Sequence, residues 1–497
     1  MTLLTSRKTS IIILLIIIIL YIIASFTLVG YYHPDEHFQI LEFAQAKMGR
    51  LDRSGMAWEF HYAMRPSLQP WMVVGLQKVI GYSNPYTTAL VLRLATALLS
   101  LWAILRFIRV VRPAFKGKWL IAFVLMSFLI WYLPYLNVRF SSETWSGLFF
   151  LLGLSYVAGA EKLSRVQALF CGLLLGIAFL CRYQVAIMII GLLLWSVIIK
   201  KERISNILLV IAGCTFIAAI GVVMDYYFYG YWTLSVWNYY NMNIVHDRAS
   251  AFGTTDSFSF LMQVIDAMTI PVGAVVLFTL LLIIIYRPRS FIVWIIMPFL
   301  VIHLIIPHKE VRFLFPLVNL TAYTIILGAQ IIRERTKNIN LRPRQSEVAK
   351  GVFAATIYVV ILFNVACLTI AILSPPFYGR IAIANYIFNK YPKDNIELTG
   401  LRRSNVFNPY SIITQSFYQM DNVHFHPIAS YDSLTNVAPL STRSFFIVQR
   451  GDLKNPKVLD LLTAQNARPV KTIRPLWLTS LLDRFGMADR DFVLFGK

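Results

Sequence analysis

Charge is what this sequence has least of. Asp, Glu, Lys and Arg make up 14% of its 497 residues, against about 25% in soluble domains. With 58% hydrophobic residues and a mean hydropathy of +0.64, that scarcity excludes an ordinary soluble enzyme. It points to a polytopic membrane protein with soluble parts attached. Cysteine is nearly absent as well: Cys171, Cys181, Cys214 and Cys367 lie in or at the ends of apolar runs. No pair has zinc-ligand spacing, and four such thiols do not make a disulfide framework. They read as small packing residues. There is no glycine-rich nucleotide fingerprint, so a cytoplasmic nucleotide-sugar donor is not indicated. Internal repeats and low-complexity tracts are also lacking, and nothing resembles a nucleic-acid module.

What is present is a series of apolar runs. A window the length of a membrane-spanning helix selects about eleven: 11–29, 85–108, 119–135, 143–160, 166–181, 183–199, 205–223, 264–286, 291–306, 313–332 and 351–373. Segment 66–82 adds a short or re-entrant helix. The first run exceeds the roughly 7–15 apolar residues of a signal peptide, and no small-x-small cleavage site precedes His33. It reads as a retained anchor.

The formal net charge of +22 is explained by orientation. Arg106, Arg109, Arg112, Lys116 and Lys118 fall in one loop, Lys162 and Arg165 in another, and Lys200, Lys201 and Arg203 in a third. Arg287 and Arg289 come next, then Arg333, Arg335, Lys337, Arg342, Arg344 and Lys350. Alternation of eleven spans puts all of them on one side, with Arg7 and Lys8. By the positive-inside rule that side is cytoplasmic, so the N-terminus is inside and the C-terminus outside. The outer side receives 30–66, 136–142, Arg182, 224–263, 307–312 and everything after Ser374. Residues 1–374 then form a transmembrane domain whose main outer loops are 30–66 and 224–263. Residues 375–497 form a small extracytoplasmic α/β domain, with alternating strands at 444–448 and 491–495 and a helix at 479–485.

The unusual polar residues collect in the outer loops. Asp35 and Glu36 come after the first span, flanked by His33 and His37. Pro34 suits the first turn of a helix that continues at the interface from Phe38 to Ala46. Two readings are compatible there: acids favouring a helix N-terminus, and a general base on a stable platform. His308, Lys309 and Arg312 stand in one tight connection, fit for an anionic phosphate or for lipid headgroups. Arg65, Arg139 and Arg182 lie at span ends, where they snorkel or act. Segment 225–260 is dense in aromatics and amides, among them Asp225, Trp237 and Asn238. It reads as an interfacial belt or as a polyol-binding surface.

Several of these elements, in order, resemble glycosyltransferase family 22. They are His33-Pro34-Asp35-Glu36-His37-Phe38-Gln39, Arg65-Pro66-Ser67-Leu68-Gln69-Pro70, Arg139-Phe140-Ser141, Asp225-Tyr226-Tyr227-Phe228-Tyr229-Gly230 and His308-Lys309-Glu310-Val311-Arg312-Phe313-Leu314-Phe315-Pro316. The family comprises multi-span mannosyltransferases of GPI-anchor and lipid-linked oligosaccharide assembly, and the pattern here is nearest to the GPI branch. The match covers roughly the first 330 residues. The sequence departs from the family at Phe252-Gly253-Thr254-Thr255-Asp256-Ser257-Phe258, where a His-Pro-Trp-His stretch is usual. That departure leaves the acceptor open, and a bacterial relative acting on a different glycan fits it.

The resemblance implies a GT-C type membrane fold of about eleven transmembrane helices. It also implies an inverting transfer of a sugar, mannose in this family, from a polyprenyl-phosphate donor to a glycan or glycolipid acceptor. On it, Asp35 is the base, Glu36 orients the acceptor or tunes Asp35, and His308, Lys309 and Arg312 hold the leaving phosphate. His33, His37, Arg65, Arg139, Arg182, Asp225, Trp237 and Asn238 are secondary candidates for substrate contact. The scheme needs no cofactor and no metal, and leaves room for a divalent ion. Its partners are the lipid-linked donor, the acceptor and membrane lipids. Its location is a bacterial inner membrane or the ER membrane, with the site on the periplasmic or lumenal side. Two competing readings stand beside it: a transporter or flippase of a lipid-linked sugar, and a lipid-phosphate-dependent transferase of another sugar.

Overall fold

The computed structural model describes residues 7–82, 84–337, 343–407, 416–436 and 443–497. Arg342 of the expected cytoplasmic cations lies outside these residues, and so do the side chains of Arg7, Arg344 and Lys350. The chain divides into two compact units. One comprises Met1–Ile22, Tyr62–Gln69 and Leu94–Thr369; the other comprises Ile23–His61, Pro70–Arg93 and Ile370–Lys497.

The first unit is helical. Each predicted apolar run overlaps a helix, but among the described residues only 5 helices are long and apolar enough to cross a membrane. They are Lys8–Thr27, Pro85–Ala114, Ile204–Tyr229, Val311–Thr336 and Ala354–Lys390. A sixth arises if Ser257–Ala267 and Ile270–Tyr286, bent by 119°, count as one span. The expected eleven is therefore not matched by length. The breaks have local causes. Lys118–Leu129 stops after 12 residues, just ahead of a short helix containing Pro134. Arg182, in extended backbone (φ −155), parts the helix Arg165–Cys181 from the turn Tyr183–Val185 and the helix Ala186–Ile198. Thr269 adopts φ +68 at the 119° bend. Segment 66–82 supplies the helix Leu68–Ile80, most of which belongs to the second unit.

Small residues set the packing distances within this unit. A Cβ on Gly213 would lie 2.8 Å from the Leu169 carbonyl oxygen, so Ile204–Tyr229 and Arg165–Cys181 can touch backbone to backbone. A Cβ on Gly147 would lie 2.8 Å from Pro316 Cα. That contact lays the helix Ser142–Gly159 against the 3-10 turn Val311–Leu320. One buried polar pair satisfies itself, as burial favours: the amides of Asn137 and Asn319 exchange hydrogen bonds at 2.9 and 3.1 Å. The four cysteines are unpaired, with Cys171 and Cys181 buried.

The second unit carries a five-stranded sheet of order β2-β1-β3-β5-β4. Its strands are β1 (Ile396–Leu401), β2 (Val423–Ile428), β3 (Ser444–Gln449), β4 (Arg468–Thr472) and β5 (Phe492–Gly496). β1 runs parallel to both β2 and β3, whereas β5 is antiparallel to β3 and β4. Every residue of β5 is buried, so this strand does not show the half-exposed alternation expected from sequence. The reason is that both faces are covered. Phe446, Val448, Val493 and Phe495 pack on Val458 and Leu462 of the helix Pro456–Ala464. On the other face Tyr391 meets Phe445, and Arg380 lies over Phe492. The expected helix at 479–485 is Leu476–Asp483. The long helix Pro343–Leu373 ends just before the Pro375-Pro376 pair, after which Phe377 and Tyr378 adopt φ of 54 and 55.

Candidate active site

In the first unit the helix Ser142–Gly159 begins with Ser141 as its N-cap, whose hydroxyl accepts from Thr144 N at 3.2 Å. This start places Glu143 in the first turn, where a carboxylate is favoured by the helix dipole. Glu143 is buried, and it bridges two buried guanidinium groups. Its Oε1 accepts from Arg182 Nη1 at 2.7 Å and from Arg312 Nη1 at 3.2 Å. Arg182 also donates to Ser142 Oγ at 3.1 Å. Both guanidinium groups lie over the Phe313 ring, at 5.2 and 5.3 Å. Arg312 Nε makes a second ion pair, to Glu310.

The preceding turn completes the cluster. His308 Nε2 meets Glu310 Oε1 at 2.9 Å, and its Nδ1 meets the Gly253 carbonyl at 2.7 Å. The hydrogen bond to Glu310 raises the His308 pKa above its ordinary value. Lys309 is buried and donates to the Thr255 carbonyl at 2.5 Å. Among the described residues no carboxylate pairs with it. A buried ammonium without a counter-charge is costly, and an anionic ligand would supply one.

Other predicted residues of this unit brace the backbone. Asp225 accepts from Ser67 N at 2.9 Å and from Ser67 Oγ at 2.6 Å. Tyr229 donates to the Arg65 carbonyl at 2.7 Å, and Asn238 donates to the Tyr62 carbonyl at 3.0 Å. These three side chains hold 62–67 in place. The Arg65 guanidinium lies 5.3 Å from the centre of the Tyr239 ring. Arg139 packs on Tyr135 and donates to its hydroxyl at 3.1 Å. Trp237 is exposed beside Tyr240, as an interfacial aromatic would be.

In the second unit Pro34–Glu36 forms the expected helical turn, with Pro34 in its first position. His33 is the N-cap, and its Nδ1 accepts from Asp35 N at 3.3 Å. The Asp35 carboxylate is 24% exposed, 3.6 Å from His33 Nδ1, and so remains reachable by a substrate hydroxyl. Glu36 accepts from Tyr32 N at 3.1 Å. His37 departs from expectation. It is wholly buried, bonded through Nε2 to Glu42 Oε1 at 2.6 Å and stacked on Tyr418. Residues Phe38 to Ala46 are buried too, rather than laid on an open surface. A π-helical turn at His37–Glu42 turns Glu42 toward Ser416 and Phe417 N, the latter at 3.0 Å.

Sequence reasoning named these basic residues and Glu310, but not Glu143 or Glu42 as partners. Glu143 and Glu42 each had a signal, a lone acid inside an otherwise apolar stretch. Neither has local spacing that reveals its partner. Among the described residues no three His, Cys, Asp or Glu side chains gather as a metal-ligand set.

Comparison with known families settles the class. The model of the Alg9-like mannosyltransferase family matches residues 11–406. The chain belongs to this family. It is similar to GPI alpha-1,2-mannosyltransferase 3 of Xenopus laevis, with 28% identity over 232 residues, 44% of this chain and 42% of that one. The corresponding protein of Bos taurus is 26% identical over 301 residues, covering 57% and 52%. The chain's matches therefore span about half the length of these curated relatives. Among solved structures it is similar to ArnT from Cupriavidus metallidurans bound to undecaprenyl phosphate. The TM-score is 0.52 at 13% identity, over 99% of this chain and 98% of that one. That likeness shows the fold, the GT-C type expected of the family.

Proposed function

We propose that this integral membrane protein is an inverting mannosyltransferase. It moves mannose from a polyprenyl-phosphate donor to a hydroxyl of a glycan or glycolipid acceptor on the extracytoplasmic side. The observation that carries the reading is Lys309, a buried ammonium with no carboxylate partner among the described residues, in the same turn as His308 and Arg312. A lipid-phosphate donor accords with the undecaprenyl phosphate held by ArnT, which has this fold. The sugar accords with the family.

In the reaction, Asp35 takes the proton of the acceptor hydroxyl as its oxygen attacks the anomeric carbon. The bond from that carbon to the phosphate oxygen breaks on the opposite face. The lipid phosphate leaves with the electron pair, so its negative charge grows in the transition state. Lys309, Arg312 and protonated His308 stabilise that charge, and preorganised cations in a dry site act most strongly there. Glu143 fixes Arg312 and Arg182 before substrate arrives. No protein acid is needed, because phosphate is already a good leaving group.

The test is direct. Purified protein is given polyprenyl-phosphate-mannose and a candidate glycolipid, and product is scored by mass spectrometry. A mannosylated glycolipid that disappears when Lys309 is replaced by Ala supports the reading. Failure to consume the donor with any acceptor tried, while donor binding is intact, would refute it.

A further inference from the structure

The soluble part of the chain holds a cavity that the proposed transfer does not use. Its volume is about 730 Å³, and it lies at the carboxyl ends of the three parallel strands. Arg402 and Arg403 come after β1, Tyr431 and Asp432 after β2, and Asp452 and Lys457 after β3. The order β2-β1-β3 places a switch point between β1 and β3, because the chain leaves β1 toward one edge of the sheet and returns beyond it on the other. In open α/β sheets ligands settle in the crevice at such a point. The volume falls within the usual range for small-molecule sites, roughly 300–1,000 Å³.

The lining has two kinds of group. One side is fixed: Arg403 Nη2 donates to both carboxylate oxygens of Asp452 at 2.9 Å, and the Tyr431 hydroxyl donates to the same carboxylate at 2.8 Å. This is a rigid polar rim of the kind that orients sugar hydroxyls, and the Asp432 carboxylate lies beside it as an acceptor. The other side is unsatisfied. Arg402 and Lys457 are exposed, and among the described residues neither cationic group has a carboxylate or hydrogen-bond partner. Lys457 stands in the first turn of Pro456–Ala464, where the helix dipole also favours an anion. Three cations and two carboxylates thus line the cavity, and Arg403 is paired with Asp452.

We propose that this cavity is a second binding site, for a phosphate-bearing saccharide, with the phosphate on Arg402 and Lys457 and the hydroxyls on the Asp432–Asp452–Tyr431 rim. The class of ligand is set by the cavity alone. Only the choice of mannose as the test sugar rests on the function proposed above.

The experiment is calorimetric titration of the full chain in detergent with mannose 6-phosphate, mannose and inorganic phosphate, in the absence of any lipid donor. Wild type should bind mannose 6-phosphate saturably and bind each fragment at least about tenfold more weakly. The double variant Arg402→Glu/Lys457→Glu should lose at least about tenfold in affinity, since each charge-assisted contact is of that order. Both side chains are exposed, so the fold should be kept, and an unchanged melting temperature checks this. Asp35→Asn should bind like wild type, which separates this site from the proposed transfer. Three outcomes would overturn the proposal: no saturable binding by wild type, equal binding by the double variant, or inorganic phosphate binding as tightly as the sugar phosphate.

Discussion

Replacing Glu143 should expose how much of the first unit depends on one carboxylate. Glu143 is 3% exposed and touches Arg182 at 2.7 Å and Arg312 at 3.2 Å. At an effective dielectric of about 20, these pairs carry roughly 6 and 5 kcal/mol of gross attraction. Most of this offsets the desolvation of three buried charges, so the gross figures are not stabilities. What counts is the cost of removing one partner: about 3–5 kcal/mol when a buried pair is broken and a charge is stranded. Here Glu143→Gln keeps the shape and one acceptor oxygen but leaves two guanidinium groups over one aromatic ring. Arg312 retains Glu310, so most of the stranded charge is on Arg182. The expected loss is therefore about 3 kcal/mol, near the lower end of that range. Adding Arg182→Gln should restore part of it by removing the stranded charge. Unfolding of the purified protein in mixed micelles would measure both variants against wild type. The reasoning fails if Glu143→Gln is as stable as wild type, or if the double variant is less stable than the single one by the full cost of a second independent loss.

Asp35→Asn should fold normally and bind donor, while turnover falls by about 10²- to 10⁴-fold, the usual range for a lost general base; if Glu36→Gln is the dead variant instead, the two acids exchange roles. Lys309→Ala and Arg312→Lys should both raise the donor KM, the second because an ammonium cannot reproduce the guanidinium fork that now spans Glu143 and Glu310; unaltered donor kinetics in both would remove the phosphate role. Donor affinity should also depend on pH through His308. Glu310 raises its pKa above the ordinary 6.5, so the cationic form persists to higher pH than in a free imidazole, and its contribution is lost as pH rises through the folded value. The phosphodiester donor keeps its charge across this window, and His308→Gln should flatten the profile; a profile identical in the two proteins would rule His308 out. Reporter fusions at Lys350 and Lys497 should show opposite accessibility, with Lys497 outside, and equal accessibility would overturn the proposed sidedness.

The sequence alone determined the membrane class, the position of each apolar helix, and the basic residues of the candidate cluster. These depend on local runs of residues: hydropathy over a span's length, a proline at a helix start, three basic groups within five residues. The family motifs were legible for the same reason, because each is contiguous. Tertiary structure decided the partners. Glu143 stands 39 residues from Arg182 and 169 from Arg312, and only the approach of Gly147 to Pro316 brings the carboxylate to Arg312. His37 was grouped with Asp35 by adjacency, yet a π-helical turn carries it into the interior to meet Glu42. Asp225 stands in a motif read from its neighbours, and the structure adds its bond to Ser67, 158 residues away. The strand-end cavity has no motif, because its lining comes from the ends of three separate strands that become neighbours only when the sheet forms. A charge's type is written in the chain, but what it faces is fixed by long-range packing, and that decides whether it is a ligand, a brace or a buried pair.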